Sequence, residues 1–205
     1  MNLGKDNYMC PLMLTVLQQA GGLNGIHFSN TYWFHRALGW RGVLIEPTPA
    51  SYKQLTKNRP SDITIHSAIC KNYRDVHYIT SAEATVDGIW EFMSKGFKER
   101  WHPNVKEADL PSIACVPLQS ILALVNLQHI DFFSLDVEGG ELEVIQSINF
   151  DCSSFDVIAV EADGSNPTKD QAVIDVLTSH GYILHGHVHR NDWFVHHKFV
   201  PSAMG

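Results

Sequence analysis

At 205 residues, 44% hydrophobic and 18% charged, the chain can bury a full core and is too apolar to stay disordered. Its 15 basic and 22 acidic residues leave a net charge of -7, which excludes a general electrostatic attraction to nucleic acid or to an anionic membrane. No apolar run spans a bilayer, Met1 to Asp6 does not read as a secretory leader, and Cys10, Cys70, Cys115 and Cys152, widely spaced without a CxxC pair, read as reduced thiols of a cytoplasmic protein.

In chain order, Met13 to Leu17 predicts a first strand, before Gln18 and Gln19 interrupt its apolar character. Gly21, Gly22 and Gly25 then let the backbone turn sharply and approach a ligand, although a GGxxG cluster also suits a plain surface turn. Ser29 reads as the N-cap of a short aromatic helix closed by Gly39. Arg41 to Pro47, RGVLIEP, predicts a second strand ending on Glu46, the residue type that takes two ribose hydroxyls at the end of a second strand in nucleotide-binding sheets. Pro49 to Asn58 follows as a helix, and Ile63 to Ile69 as a third strand whose small residues Ser67 and Ala68 leave room for an adenine ring.

Val76 to Ile79 adds a short strand, and periodicity fades between Thr80 and Pro111. There Trp90, Phe92, Met93, Phe97, Trp101 and His102 suggest a loop with a short helix, either covering a site or folded back on the sheet. Ile113 to Pro117 reads as an extended lead-in, and Leu118 to Asn126 as a helix. The strongest strand is Ile130 to Leu135. It ends on Asp136 and runs into Val137, Glu138, Gly139, Gly140 and Glu141, with a helix from Leu142 to Ile148. Glu138 and Glu141 also suit the positive end of that helix.

Phe155 to Ala162 is another buried strand ending in acid, at Glu161, so Glu46, Asp136 and Glu161 converge on one edge if the strands are parallel. Lys169 to Ser179 predicts a helix closed by Gly181. Tyr182 to His187 and Trp193 to Val200 predict an antiparallel pair. Of the 12 histidines, His185, His187 and His189 alternate near His196 and His197, but no thiol or carboxylate pattern completes a zinc site and no metal is assigned there.

The segments FSNTYWF, LGWRGVLIEP, SAI, VPLQSI, IDFFSLDVEGGELEVIQSI and VLTSHGYILHG followed by NDWFV together resemble the FkbM-type family of S-adenosylmethionine-dependent methyltransferases, over nearly everything from Gly21 to Phe199. The resemblance implies one α/β domain over residues 1–205 with a variable insert around 80–111. Its fold would be a Rossmann-like seven-stranded sheet in order 3-2-1-4-5-7-6, with strand seven antiparallel and helices on both faces. It also implies S-adenosylmethionine as cofactor, bound by Gly21, Gly22, Asn24, Gly25, Asn30, Glu46, Ser67, Ala68 and Asp136. A small-molecule or sugar-like hydroxyl would be the methyl acceptor, with Asp136 and Glu138 as candidate bases and His102 as a further one if the aromatic loop closes. Two departures stand out: Gln19 sits where the family's first strand commonly ends in an acid, and Asn24 where aspartate is common. A divalent ion on Asp136 and Glu161 is an alternative role for those acids, without an evident third ligand. A cofactor-binding scaffold without activity is the competing reading. A nucleotide-dependent oxidoreductase is disfavoured by the lack of a clean GxGxxG.

Overall fold

The computed structural model describes residues 16–27, 29–81 and 86–199. Strands β1 (Val16–Ala20), β2 (Arg41–Ile45) and β3 (Ile63–Ile65) pair in parallel, and β1 also pairs in parallel with β8 (His129–Leu135), which pairs with β9 (Ser154–Glu161). The hairpin of β10 (Tyr182–Val188) and β11 (Asn191–His196) completes this sheet, β11 running antiparallel to β9. The observed order is β10-β11-β9-β8-β1-β2-β3. Numbered only among themselves, these seven strands are 3-2-1-4-5-7-6, the order that the resemblance implies.

Successive residues of β8 face opposite sides of the sheet. On one side Phe133, Leu135, Ile158 and Val160 pack against Leu118 and Leu122 of α4 (Leu118–Leu124), Val144 and Ile145 of α5 (Glu141–Gln146), and Val173 and Leu177 of α6 (Pro167–Ser179). On the other, Phe132 lies against Trp193, Phe34 and Trp40, with Phe34 on α1 (Tyr32–Leu38). Helices therefore cover both faces.

Several boundaries differ from the sequence reading for identifiable reasons. Residues 13–15 of the expected first strand lie outside the described residues, and the strand seen, Val16–Ala20, contains the two glutamines. Gln19 is tolerated there because its Oε1 accepts hydrogen bonds from Ser29 Oγ at 2.8 Å and Thr31 Oγ1 at 2.7 Å. Those same bonds draw both hydroxyls away from capping. Thr31, not Ser29, is therefore the N-cap of α1, without a side-chain cap bond. Gly39 does close α1, at φ 70°.

The expected third strand splits after Ile65. Ala68–Ile69 (β4) leaves the main sheet for a second one, of order β4-β7-β5-β6, with β5 Arg74–Ile79, β6 Gly88–Ile89 and β7 Ser112–Val116. Ser67 Oγ donates to the Ala114 carbonyl at 3.1 Å, at the point where the chain changes sheets. Ile113 to Pro117 is thus mostly a paired strand. Cys70 and Cys115, at the ends of β4 and β7, form a buried disulfide with Cα atoms 5.5 Å apart, which corrects the expectation of reduced thiols. Cys152 is free and exposed, and Cys10 lies outside the described residues. No helix among the described residues is long and apolar enough to cross a membrane. Between β6 and β7 lies α3 (Lys95–Trp101), with Ser94 Oγ accepting from the Phe97 N–H.

Candidate active site

Parallel strands carry their carboxyl ends to one edge, and here β1, β2, β8 and β9 deliver Ala20, Glu46, Asp136 and Glu161 to the rim of one cavity of about 200 Å³. Ala20, Gly21, Leu23, Ser67 to Ile69, Asp87 to Ile89 and Phe92 also line it.

The five-residue glycine loop divides its labour. Gly21 has φ +80°, and any Cβ there would run into the Asp136 carbonyl, so the residue must be glycine for β1 and β8 to end side by side. Gly22 and Gly25 face away from the cavity, where Cβ atoms would meet Leu55 at 3.3 Å and 2.6 Å. Asn24 uses its Oδ1 to accept from the Ile26 and His27 N–H groups, and Asn30 donates to Ser134 Oγ at 3.0 Å from an exposed position. Of the loop residues expected to bind cofactor, the structure brings Gly21 to the cavity and leaves Gly22, Asn24, Gly25 and Asn30 off its lining.

Arg59, which follows α2 (Pro49–Asn58) as its C-cap, holds this loop. Fully buried, it donates from Nη1 to the Gly25 carbonyl at 3.3 Å and from Nε to Asp62 at 2.6 Å, while Asn58 holds the Asn24 carbonyl at 2.8 Å. A cation at a helix C-terminus reads locally as a solvated, dipole-complementing group. Nothing in the local pattern shows that a loop 34 residues earlier lies over it.

Glu46 is almost wholly buried. Its Oε1 accepts from the Thr48 N–H at 2.8 Å and from Thr48 Oγ1 at 2.6 Å, and its Oε2 from the Leu23 N–H at 2.8 Å. Burial still outweighs these bonds and pushes its carboxyl up to about 7. One acceptor position on Oε2 remains.

The acidic turn after β8 explains the different fates of its three carboxylates. Glu141 is buried and structural, as the helix-start reading of this acid allowed. Its Oε1 takes the Val137 and Gly139 N–H groups at 3.1 Å, and its Oε2 takes Lys169 at 2.5 Å. Folded round that carboxylate, the turn puts Glu138 at φ 54° and Gly139 at φ 108°. A left-handed glutamate is strained, and from this position its side chain lines the cavity. Burial and then the nearby Asp136 charge push Glu138 up to about 7. Asp136 and Glu161 share a hydrogen bond, and burial raises both, Glu161 further because the Asp136 and Glu138 charges face it. The two carboxyls therefore titrate together, above the ordinary carboxylate range.

A second, outer cavity of about 510 Å³ lies against the first, lined by Phe97, Arg100 and Trp101 from α3 and by Asp163 and Ser165 after β9. The two share Glu138 and Arg190. His102 lines neither. It is buried, and its Nε2 is 2.9 Å from the Val86 carbonyl, so it braces the segment leading to Asp87 and does not face the reaction edge. Asp87 and Arg190 are the charged residues of the inner cavity that sequence reasoning missed, Asp87 because it lies in the aperiodic stretch and Arg190 because it lies in a hairpin turn. Of the alternating histidines, His187 pairs with Asp192 at 2.8 Å.

A profile described as Methyltransferase FkbM domain matches residues 19–184, from the end of β1 into β10. The chain belongs to this FkbM methyltransferase family. The FkbM domain thus takes in every strand end described above, while Arg190 lies beyond its matched span. Two solved structures are similar in course. One is a precorrin-6y C5,15-methyltransferase from Geobacter metallireducens GS-15, 13% identical with a TM-score of 0.45, covering 89% of this chain and 78% of its own. The other is a ribosomal protein L11 methylase from Lactobacillus delbrueckii subsp. bulgaricus, 9% identical with a TM-score of 0.41, covering 92% and 73%. No curated protein sequence matches the chain.

Proposed function

We propose that this FkbM-domain chain transfers a methyl group from S-adenosylmethionine to a hydroxyl of a small-molecule, sugar-like acceptor. One observation carries the reading: the inner and outer cavities meet at Glu138, a carboxylate whose pKa of about 7 suits proton transfer at neutral pH. The inner cavity fits the cofactor. Glu46 keeps an acceptor position for ribose hydroxyls, Gly21 offers bare backbone, and Ser67, Ala68 and Ile69 give a small, mostly apolar lining for an adenine, with Asp87 also lining the cavity. When bound, S-adenosylmethionine supplies an electrophilic methyl group on a sulfonium centre.

The protein's own residues then have three tasks. The outer cavity, walled by the Trp101 and Phe97 rings, holds the acceptor, and its volume suits a small molecule. Glu138 takes the hydroxyl proton as the nucleophile forms. Asp136, hydrogen-bonded to Glu161, keeps a fixed partial charge beside the transfer line. The buried Cys70–Cys115 bond favours an oxidising compartment over the cytoplasmic location expected from the cysteine spacing.

Calorimetric titration with S-adenosylhomocysteine tests the cofactor half: wild type binds, and Glu46→Ala, checked for folding by circular dichroism, binds at least about tenfold more weakly because a charge-assisted hydrogen bond is lost. Screening hydroxylated acceptors with methyl-labelled cofactor tests the other half. Glu138→Gln retains cofactor binding and loses about a hundredfold or more in transfer rate. A folded wild type that takes up no S-adenosylhomocysteine at high concentration refutes the reading.

A further inference from the structure

Asp136, Glu138 and Glu161 each bring a carboxylate oxygen within 4.8 Å of the other two. Three acids so close in a half-dry cavity repel one another when ionised, and a nearby cation offsets that repulsion. Two cations are near. Lys169 is already held by Glu141 at 2.5 Å and Asp170 at 3.3 Å. Arg190 turns the other way: its Nη2 donates to Glu161 at 2.5 Å and to Asp163 at 3.2 Å.

The fold fixes the backbone that carries this guanidinium. Asn191 at the start of β11 pairs with Glu161, so the β10–β11 turn lies directly beside the end of β9, and the Arg190 carbonyl accepts from the Ala162 N–H at 2.7 Å. His189, just before it, takes φ 57°, which tightens the turn. Arginine is suited to this post because it stays charged at every working pH and offers five donors in a rigid fork.

We propose that Arg190 is the resident counter-cation of the acids between the two cavities, a positioning residue that fixes Glu161 and Asp163 and makes the reaction edge independent of a divalent metal ion. It rests on the reading of Asp136 and Glu138 as the reaction centre. The guanidinium sits on one of the three acids, Glu161, and its positive charge opposes the approach of a hard cation to that group. Glu161 is already gripped on one oxygen by Arg190, a contact that coordination of all three acids by a metal would have to displace.

Manganese binding to the full-length protein tests this without cofactor or acceptor. Free Mn2+ is followed by its electron paramagnetic resonance signal at pH 8 as protein is added. Wild type leaves the signal unchanged at millimolar ion. Arg190→Gln, with an unchanged circular dichroism spectrum, takes up Mn2+ at least about tenfold more tightly. Arg190→Lys, which restores a charge, abolishes the uptake, and Glu161→Gln added to Arg190→Gln abolishes it too. A loss of packing alone would not be reversed by lysine. Arg190→Ala supplies the same comparison should the glutamine variant not fold. Stoichiometric Mn2+ binding by wild type that is lost in Glu161→Gln overturns the proposal, and so does a folded neutral variant that binds no more ion than wild type. The readout needs no turnover, so failure of the methyl-transfer assay and failure of this titration are separate results.

Discussion

Replacing Glu46 with glutamine keeps the shape of the side chain and removes its ionisation, which makes the cost of burying that carboxylate measurable. In the folded protein burial raises the group from its ordinary 4.5 to about 7. Below pH 4.5 the acid is protonated in both folded and unfolded chains and contributes nothing to the pH dependence. As pH rises past 4.5 the unfolded chain ionises while the folded one resists, so wild type loses stability until about pH 7, above which the loss is constant. At about 1.4 kcal/mol per pH unit the loss comes to about 3 kcal/mol. The glutamine variant lacks it. Its amide also turns an N–H toward a backbone donor of Leu23 or Thr48, a fixed penalty of about 1–3 kcal/mol that does not vary with pH. The quantity to follow is therefore the wild-type-minus-variant difference in unfolding free energy, from urea titrations between pH 4.5 and 8. That difference falls by about 3 kcal/mol across the window. A difference constant to within about 0.5 kcal/mol would show that the carboxylate is not desolvated in the folded chain and would remove the physical basis for its role.

Two further outcomes follow from the geometry. Gly21→Ala sets a Cβ against the Asp136 carbonyl at a left-handed position, so it costs about 2–4 kcal/mol in thermal or urea unfolding and abolishes S-adenosylhomocysteine binding in whatever fraction still folds; wild-type affinity in the variant would refute the close approach of β1 and β8. Cys70→Ser with Cys115→Ser opens a loop closed across 45 residues, a loss of about 4 kcal/mol on the chain-entropy account, read as the stability difference from the oxidised wild type; equal stability would show that the bond does not form in the folded chain.

The parts of this fold legible in the sequence are those where neighbouring residues carry the signal. FFSLD and VIAVE announce buried parallel strands ending in acid, because a strand covered on both faces leaves a run of apolar residues and the crevice edge then admits charge. Glu46, Ser67, Ala68, Asp136 and Glu138 do reach one cavity. What stayed hidden depends on contacts between distant segments. Arg190 meets Glu161 across 29 residues, and Gln19 recruits the Ser29 and Thr31 hydroxyls that would otherwise cap a helix. Ile63 to Ile69 has one continuous β pattern, and only its competing partners, β2 for one half and β7 for the other, divide it. His102 illustrates the converse: a histidine among aromatics suggested chemistry, and a backbone carbonyl claims its ring.

The covalent link between Cys70 and Cys115 also changes the connectivity of the molecule. The segment it encloses carries Asp87, Gly88, Ile89 and Phe92 of the inner cavity and every α3 residue of the outer one, so one side of both chambers hangs from a single cross-linked point beside Ala68 and Ile69. A polypeptide severed anywhere within that ring remains one molecule. The cut ends stay tethered at high local concentration instead of diffusing apart, and the wall can re-form around its contents as an intramolecular event. New chain termini or an inserted sequence in this ring therefore preserve the association of the two halves, a tolerance that the main sheet, whose strands past Cys115 have no such cross-link among the described residues, does not share.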